Sequence, residues 1–430
     1  MLCAGAAAVT GVTAVPQTAL AATTPPPTPA ATTTAGRTPT KTPTLPVPRS
    51  TVQPDLSVGG EKLASMGVVT DLPAGVPGPP TLKNVSWVLA DLDTGEVIAA
   101  KAPHAKLLPA STLKTLTALT LIPKVPPTKV VRPTQADANA DGTRVGLVPG
   151  LPYTAKQLFQ ALLMSSGNDA AYALAGAGGG RAETLAEMNS IAAGLGAHDT
   201  VAKDPSGLDA PGQTSSAYDL ALIGRAALQL KDFRTYVTTK QAVFPGALDA
   251  KTKKRGTYKI SNHNTLLYNY PGTIGVKNGY TEAAHRTFIS AVTRGGKTYL
   301  LSEMYGLDSS WRPQAAMYDW AFTYGAKARP VGRLVDPGEV PTPPTPTPTA
   351  TPTTPASPAS PDAAGPLGAA GAAVAPPRHT DPASPVTLTW KVHPAWVAVP
   401  AAALVLLAVW LGVWRSRRRR HRGRHRFSGA

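Results

Sequence analysis

The sequence predicts a mixed α/β domain in which an antiparallel sheet is faced by helices. Three observations predict it. Two apolar runs, 87–92 and 97–100, flank the polar turn Asp93-Thr94-Gly95-Glu96, the pattern of a β-hairpin. A string of short helical patterns fills the middle of the chain. Three more strand patterns, 273–277, 287–292 and 297–302, then follow close together. Strands joined by short turns pair antiparallel, and a hairpin–helices–strands–helix order lays the helices against the sheet.

The elements follow in order. After the hairpin, a helical stretch runs from Pro109 to Leu121 with Leu113, Leu116, Ala118 and Leu119 at core spacing. Ser111 therefore sits at a helix N-terminus, where free N–H groups and the dipole favour negative charge. In 154–165, Thr154 and Gln157 form a capping box, and Leu158, Phe159, Leu162 and Leu163 face a core. Further helices are read at 169–175, 181–195 and 216–230, with a glycine-rich break at 176–180. A helix at 311–326 closes the block.

The flanks have a different character. Residues 1–22 are apolar and small, end near the A-x-A pattern Ala19-Leu20-Ala21, and lack a basic start; they read as a truncated signal peptide. Residues 23–79 read as a Thr/Pro/Ala-rich disordered segment, 80–335 as the globular domain and 336–390 as a Pro/Thr-rich linker. Residues 395–414 carry no charge over 20 positions, enough to span a bilayer, with Trp396, Trp410 and Trp414 at interfacial places. The tail 415–430 contains eight arginines. The net charge of +17 is thus lopsided and reads as a cytoplasmic flank, not as a nucleic-acid surface. The only cysteine, Cys3, lies in the leader, so the processed chain has no thiol chemistry. No metal-ligand spacing or nucleotide loop is present, so neither metal nor cofactor is expected.

Chemistry concentrates in three motifs: Ser111-Thr112-Leu113-Lys114, Ser166-Gly167-Asn168 and Lys277-Asn278-Gly279. Residues i and i+3 share a helix face, so the Lys114 amine can reach the Ser111 hydroxyl. A serine hydroxyl attacks only when a base takes its proton, and a lysine is that base only when its surroundings lower its pKa. Alone, each motif has a plain reading: Ser111 a helix cap, Ser166 to Asn168 a helix end, Lys277 to Gly279 a surface turn. Their fixed order is the pattern of active-site serine enzymes that attack D-alanyl-D-alanine peptides or β-lactams.

With LLPASTLKTLTAL, LLMSSGNDAAYALA, EMNSIAAGLGAHDTVAKDPSGLD, NHNTLL and GVKNGYTEAA around them, the chain resembles the low-molecular-mass penicillin-binding proteins of the D-alanyl-D-alanine carboxypeptidase type over 85–326. The resemblance implies a helix-flanked sheet plus a helical subdomain that carries Ser166 and Asn168. It implies Ser111 as acylated nucleophile, Lys114 as general base, Ser166 as proton relay and Asn168 as an amide contact to substrate. It also implies an oxyanion hole from the N–H groups of Ser111 and Tyr280, and Lys277 with Arg312 meeting the peptide carboxylate. Gly279 would let the substrate approach the strand. The substrates would be peptidoglycan stem peptides, with β-lactams as inhibitors, and the catalytic block would lie outside the cell membrane on its C-terminal anchor.

Two residues depart from the family pattern. Asn278 replaces the usual Thr or Ser, and His285 stands where glycine is frequent. A β-rich second domain, common in relatives, is expected to be absent, since about ten residues separate the last helix from the linker. Two alternatives remain open at this stage: a β-lactamase, which needs a deacylating Glu-x-x-x-Asn that neither Glu183 nor Glu187 supplies, and a non-catalytic wall-binding protein.

Overall fold

The computed structural model describes residues 52–340. The leader, the linker, the apolar run 395–414 and the arginine tail lie outside the described residues. Within them, no helix is long and apolar enough to cross a membrane.

The strands and helices run β1 (Val68–Thr70), β2 (Asn84–Asp91), β3 (Glu96–Lys101), α1 (Lys114–Leu121), β4 (Val130–Val131), α2 (Gln135–Ala138) and β5 (Tyr153–Thr154). Then come α3 (Ala155–Met164), α4 (Asn168–Ala177), α5 (Arg181–Gly194), α6 (Ala217–Ala227) and α7 (Lys231–Thr238). The last group is β6 (Gln241–Leu248), β7 (Arg255–Ser261), α8 (Thr265–Asn269), β8 (Thr273–Thr281), β9 (His285–Arg294), β10 (Lys297–Gly306), α9 (Arg312–Tyr324) and β11 (Gly332–Arg333).

The main sheet is antiparallel, in the order β1-β3-β2-β10-β9-β8, with β11 paired to β3. The hairpin forms as expected, and the Asp91 carboxylate ties its turn by accepting from the N–H groups of Asp93 and Thr94 at 3.0 and 3.2 Å. Strand β2 is buried on both faces, and its alternation divides the core. Val88 and Ala90 join Leu300 of β10 and Leu220 and Ile223 of α6. Trp87 and Leu89 join Tyr299 and Leu301 of β10 and Met317, Tyr318 and Trp320 of α9. Burying each large apolar side chain in these layers contributes about 1.5–3 kcal/mol. Strand β8, at the end of the sheet, leaves its outer edge unpaired.

Helix α3 starts on the expected capping box: the Thr154 hydroxyl accepts from Gln157 N at 3.3 Å, and Gln157 Oε1 accepts from Thr154 N at 2.9 Å. Other expectations need correction. Residues 52–79, assigned to a disordered segment, are structured: short helical turns at Pro54–Leu56 and Glu61–Ala64 precede β1, and Leu63 is fully buried. The Thr/Pro density falls off there, and a segment average hid a stretch of ordinary composition. The helix read from Pro109 begins later; Ala110–Leu113 forms a 3-10 turn and the α-helix starts at Lys114. The helix read at 216–230 ends at Ala227, and a separate α7 follows. The β6–β7 hairpin had no sequence signal, because its strands are mostly exposed on both faces and β6 contains Pro245 and Gly246.

Helix α6 crosses the sheet at Gly224. A Cβ there would lie 2.9 Å from Ile289 Cγ2 and 3.2 Å from Leu300 Cδ1. Gly224→Val is expected to cost about 1–3 kcal/mol by overpacking, read as a lower midpoint in denaturant melts. An unchanged midpoint would show that helix and sheet slide apart freely.

Candidate active site

Three walls meet around the 3-10 turn Ala110–Leu113. The turn is held from behind: the hydroxyls of Thr112 and Thr287 both donate to Pro109 O, at 2.6 and 2.7 Å. Ala110 adopts φ 47°, which brings Ser111 to the mouth of the site, half-buried. Two glycines close on the turn. A Cβ on Gly207 would lie 2.1 Å from Ala110 O, and one on Gly279 would lie 2.7 Å from Ser111 N and 2.4 Å from Thr287 Oγ1. Neither position accepts a side chain without displacing the turn that carries Ser111.

Lys114 is fully buried at the start of α1. Its Nζ lies 2.9 Å from Ser111 Oγ, 2.6 Å from Asn168 Oδ1 and 2.5 Å from Ser206 O. Burial pulls its pKa well down, the nearby Lys277 charge pulls further, and Asp204 and Asp169 oppose. Relative to an ordinary lysine this favours the neutral amine. Its two N–H bonds then serve the two carbonyl oxygens of Asn168 and Ser206, and its lone pair faces the Ser111 hydroxyl.

The second wall is the start of α4. Ser166 takes φ 61° and is 6% exposed. Its hydroxyl is not among the hydrogen-bond partners of Lys114, so the expected relay has no direct bond in this structure. Asn168 is fixed at both ends: its N–H donates to Thr143 O at 2.8 Å and its Nδ2 to Asp141 O at 2.6 Å. The Asp169 carboxylate gathers the N–H groups of Val145, Gly146 and Leu147. It thereby shapes the loop beside the motif.

The third wall is β8. Lys277 is buried, and its Nζ donates to Asn278 O at 2.6 Å. Burial lowers its pKa from the ordinary lysine value to about 7. Asn278 and Gly279 line a cleft with His263, Arg286, Glu303, Asp308, Trp311 and Gln314. Tyr280 is 58% exposed on the open edge. Arg312 is exposed, 5.3 Å over the Trp311 ring, at the side of this cleft but not in its lining. His285, at the glycine position, adopts φ 53° and packs on Tyr305 at 4.2 Å.

Sequence reasoning missed Ser206, Thr287, Arg286 and Glu303. Ser206 acts through its carbonyl, which no side-chain motif reveals; the loop is pinned by Asp204 accepting from Ser206 N at 2.7 Å. A separate cluster, His104, Asp199 and Asp219, has metal-like composition. Here His104 Nδ1 lies 2.8 Å from Asp199, its Nε2 3.0 Å from Val58 O, and Lys106 lies 3.6 Å from Asp199. This is an ion-paired clasp on the N-terminal segment.

The chain matches the family model for D-alanyl-D-alanine carboxypeptidase over residues 74–304. It is 41% identical over 269 residues to D-alanyl-D-alanine carboxypeptidase DacB2 of Mycobacterium tuberculosis, covering 61% of this chain and 90% of that one. It is 31% identical over 247 residues to D-alanyl-D-alanine carboxypeptidase DacF of Bacillus subtilis, covering 55% of this chain but 62% of the relative. Among solved structures, a D-alanyl-D-alanine carboxypeptidase from M. tuberculosis aligns with TM-score 0.57 and 41% identity, covering 61% of this chain and 99% of that one. The Streptomyces K15 DD-transpeptidase aligns with TM-score 0.53 and 28% identity, covering 58% and 99%.

Glu303 yields a pH prediction. Burial pushes its carboxyl up to about 8, against bonds from Gln314 and Asn84. Gln314 Nε2 donates to Glu303 Oε1 at 3.0 Å, while Glu303 Oε2 and Gln314 Oε1 have no partner. A proton on Oε2 removes the cost of an unpaired buried anion. The folded pKa is raised, so this contribution to stability is fully present below the ordinary value of 4.5 and is lost as pH rises towards 8. Glu303→Gln is expected to flatten that slope in denaturant melts between these pH values; an identical slope would mean that Glu303 is ionised in the fold.

Proposed function

Since the chain belongs to the D-alanyl-D-alanine carboxypeptidase family, a family of serine hydrolases, we propose that it removes the terminal D-alanine from peptidoglycan stem peptides through an acyl-enzyme on Ser111. The observation that carries this reading is the buried Lys114 Nζ, 2.9 Å from Ser111 Oγ and held by two carbonyl oxygens, Asn168 Oδ1 and Ser206 O.

The steps follow from that geometry. The Ser111 hydroxyl adds to the scissile carbonyl as its proton passes to Lys114. The oxyanion falls beside the N–H groups of Ser111 and Tyr280. Collapse expels D-alanine, whose amine takes a proton from Lys114, with the Ser166 hydroxyl at hand as relay. Water then adds to the acyl carbonyl with Lys114 again as base and frees the shortened peptide. Lys277 takes up its proton as the substrate carboxylate arrives, because an anion restores the charged form that burial suppresses. Arg312, beside the cleft, adds a second cation. β-Lactams acylate Ser111 by the same addition. Glu183 and Glu187 both pair with Lys124, at 3.5 Å and through a shorter contact. This leaves no deacylating carboxylate from that region and disfavours a β-lactamase.

The same reading places the catalytic block outside the cytoplasmic membrane, with 395–414 spanning it and 415–426 inside. The span's length and its arginine flank support this topology. Protease added to intact cells is expected to remove the domain; protection until lysis would overturn the orientation.

Fluorescent penicillin is expected to label the protein on Ser111, with release of free D-alanine from a D-Ala-D-Ala peptide. Lys114→Ala should abolish both. Equal labelling of Ser111→Ala would refute the nucleophile, and normal acylation by Lys114→Ala would point to another base.

Position 278 gives a finer test. Asn278→Thr is expected to keep or raise peptide turnover, since a hydroxyl restores a donor closer to the strand. A loss of about a hundredfold, roughly 2.7 kcal/mol of transition-state stabilisation, would give the amide a role of its own.

A further inference from the structure

We propose that the β6–β7 hairpin is a docking ribbon for a linear polyanion of the wall, a polymer with phosphodiester-linked repeats. Five exposed lysines mark it out: Lys240 at its base, Lys259 on β7, and Lys251, Lys253 and Lys254 in the turn. Among the described residues, none of the five forms an ion pair, as is also true of other exposed lysines such as Lys156 and Lys203; what sets the hairpin apart is that five fall within 20 residues. The one carboxylate on the hairpin, Asp249, is spent on the turn. It accepts from Lys251 N at 3.0 Å, Thr252 N at 2.7 Å and Thr252 Oγ1 at 2.9 Å. The hairpin therefore carries five lysines and Arg255 against one carboxylate, a net positive charge.

The hairpin is anchored to the domain at several points. Phe244 stacks on Tyr153 with centroids 5.6 Å apart, and Tyr258 Oη donates to Val145 O. Val145 N in turn donates to Asp169, next to Asn168 of the second wall, at 3.1 Å. At the other end, Asn262 N donates to Lys240 O at 2.9 Å, and the next residue, His263, lines the cleft. Eight strand residues at about 3.3 Å each give a ribbon of roughly 25 Å leading from the cleft outwards.

Geometry decides between a polymer and a membrane. A bilayer would meet the turn alone, and residues 249–254 there offer no large apolar or aromatic side chain to enter it. The exposed Val243 and Leu248 lie along β6, not at the tip. A flexible chain of phosphates can pass along the ribbon and meet the turn lysines and Lys259 on β7, each a compact point charge. It would hold the enzyme beside strands that carry the stem peptides. The identity of the polymer rests on the extracytoplasmic reading; the charge pattern does not.

The test is lysine footprinting of the full chain with an amine-reactive reagent, with poly(glycerol phosphate), neutral dextran or phosphatidylglycerol vesicles added. Poly(glycerol phosphate) is expected to slow modification of the turn lysines and Lys259 selectively, and added salt to abolish the protection. Combining Lys251→Glu, Lys253→Glu and Lys254→Glu should weaken polymer binding by roughly tenfold or more, with penicillin labelling of Ser111 unchanged. No protection, protection spread evenly over the surface lysines, or protection by vesicles alone would overturn the proposal. Failure of penicillin labelling with the footprint intact would instead strike only the catalytic reading.

Discussion

The site depends on burying one amine. Lys114 gives up hydration entirely and recovers it through two carbonyl oxygens, one on α4 and one on the 204–207 loop. A charged ammonium in that place would be costly, and Lys277, buried nearby, raises the cost further whenever it is protonated. The fold thus holds the amine toward its unprotonated, reactive form at the expense of its own stability. The clasp on Asn168, the loop gathered by Asp169 and the Asp204 pin on Ser206 all maintain the two carbonyls that make this tolerable. They position the base without touching the reacting atoms.

The same logic relates the two lysines. Lys114 has two fixed acceptors and is held toward the neutral amine; Lys277 has only the Asn278 carbonyl and titrates about 7. In the proposed mechanism one is the base and the other takes up a proton when an anion binds. The sequence shows two lysines in two motifs. Both are fully buried, and only their partners separate them.

Legibility followed pattern strength. The β2–β3 hairpin, α3 with its Thr154–Gln157 box, and the three strands β8 to β10 were readable because apolar spacing and turn residues agree there. The β6–β7 hairpin was not, because a ribbon solvated on both faces carries no alternation. Ser111, Lys114, Asn168, Lys277 and Gly279 are brought together around one turn, as their motif order implied. Ser206 and Thr287 could not be read in advance: one contributes a backbone carbonyl and the other supports the turn from across the sheet. Glu303 was invisible because its meaning comes from being sealed under the cleft.

The glycine pair at 207 and 279 has a consequence for how this site can evolve. Both abut the catalytic turn so closely that even a methyl group would dislodge it. Selection for altered ligand preference, by a drug or by a changed wall, therefore finds these two positions closed. Variation is free only at side chains that face outward, such as Asn278, Tyr280 and Arg286. The unusual residue at 278 sits in the one slot of its motif where the architecture permits novelty.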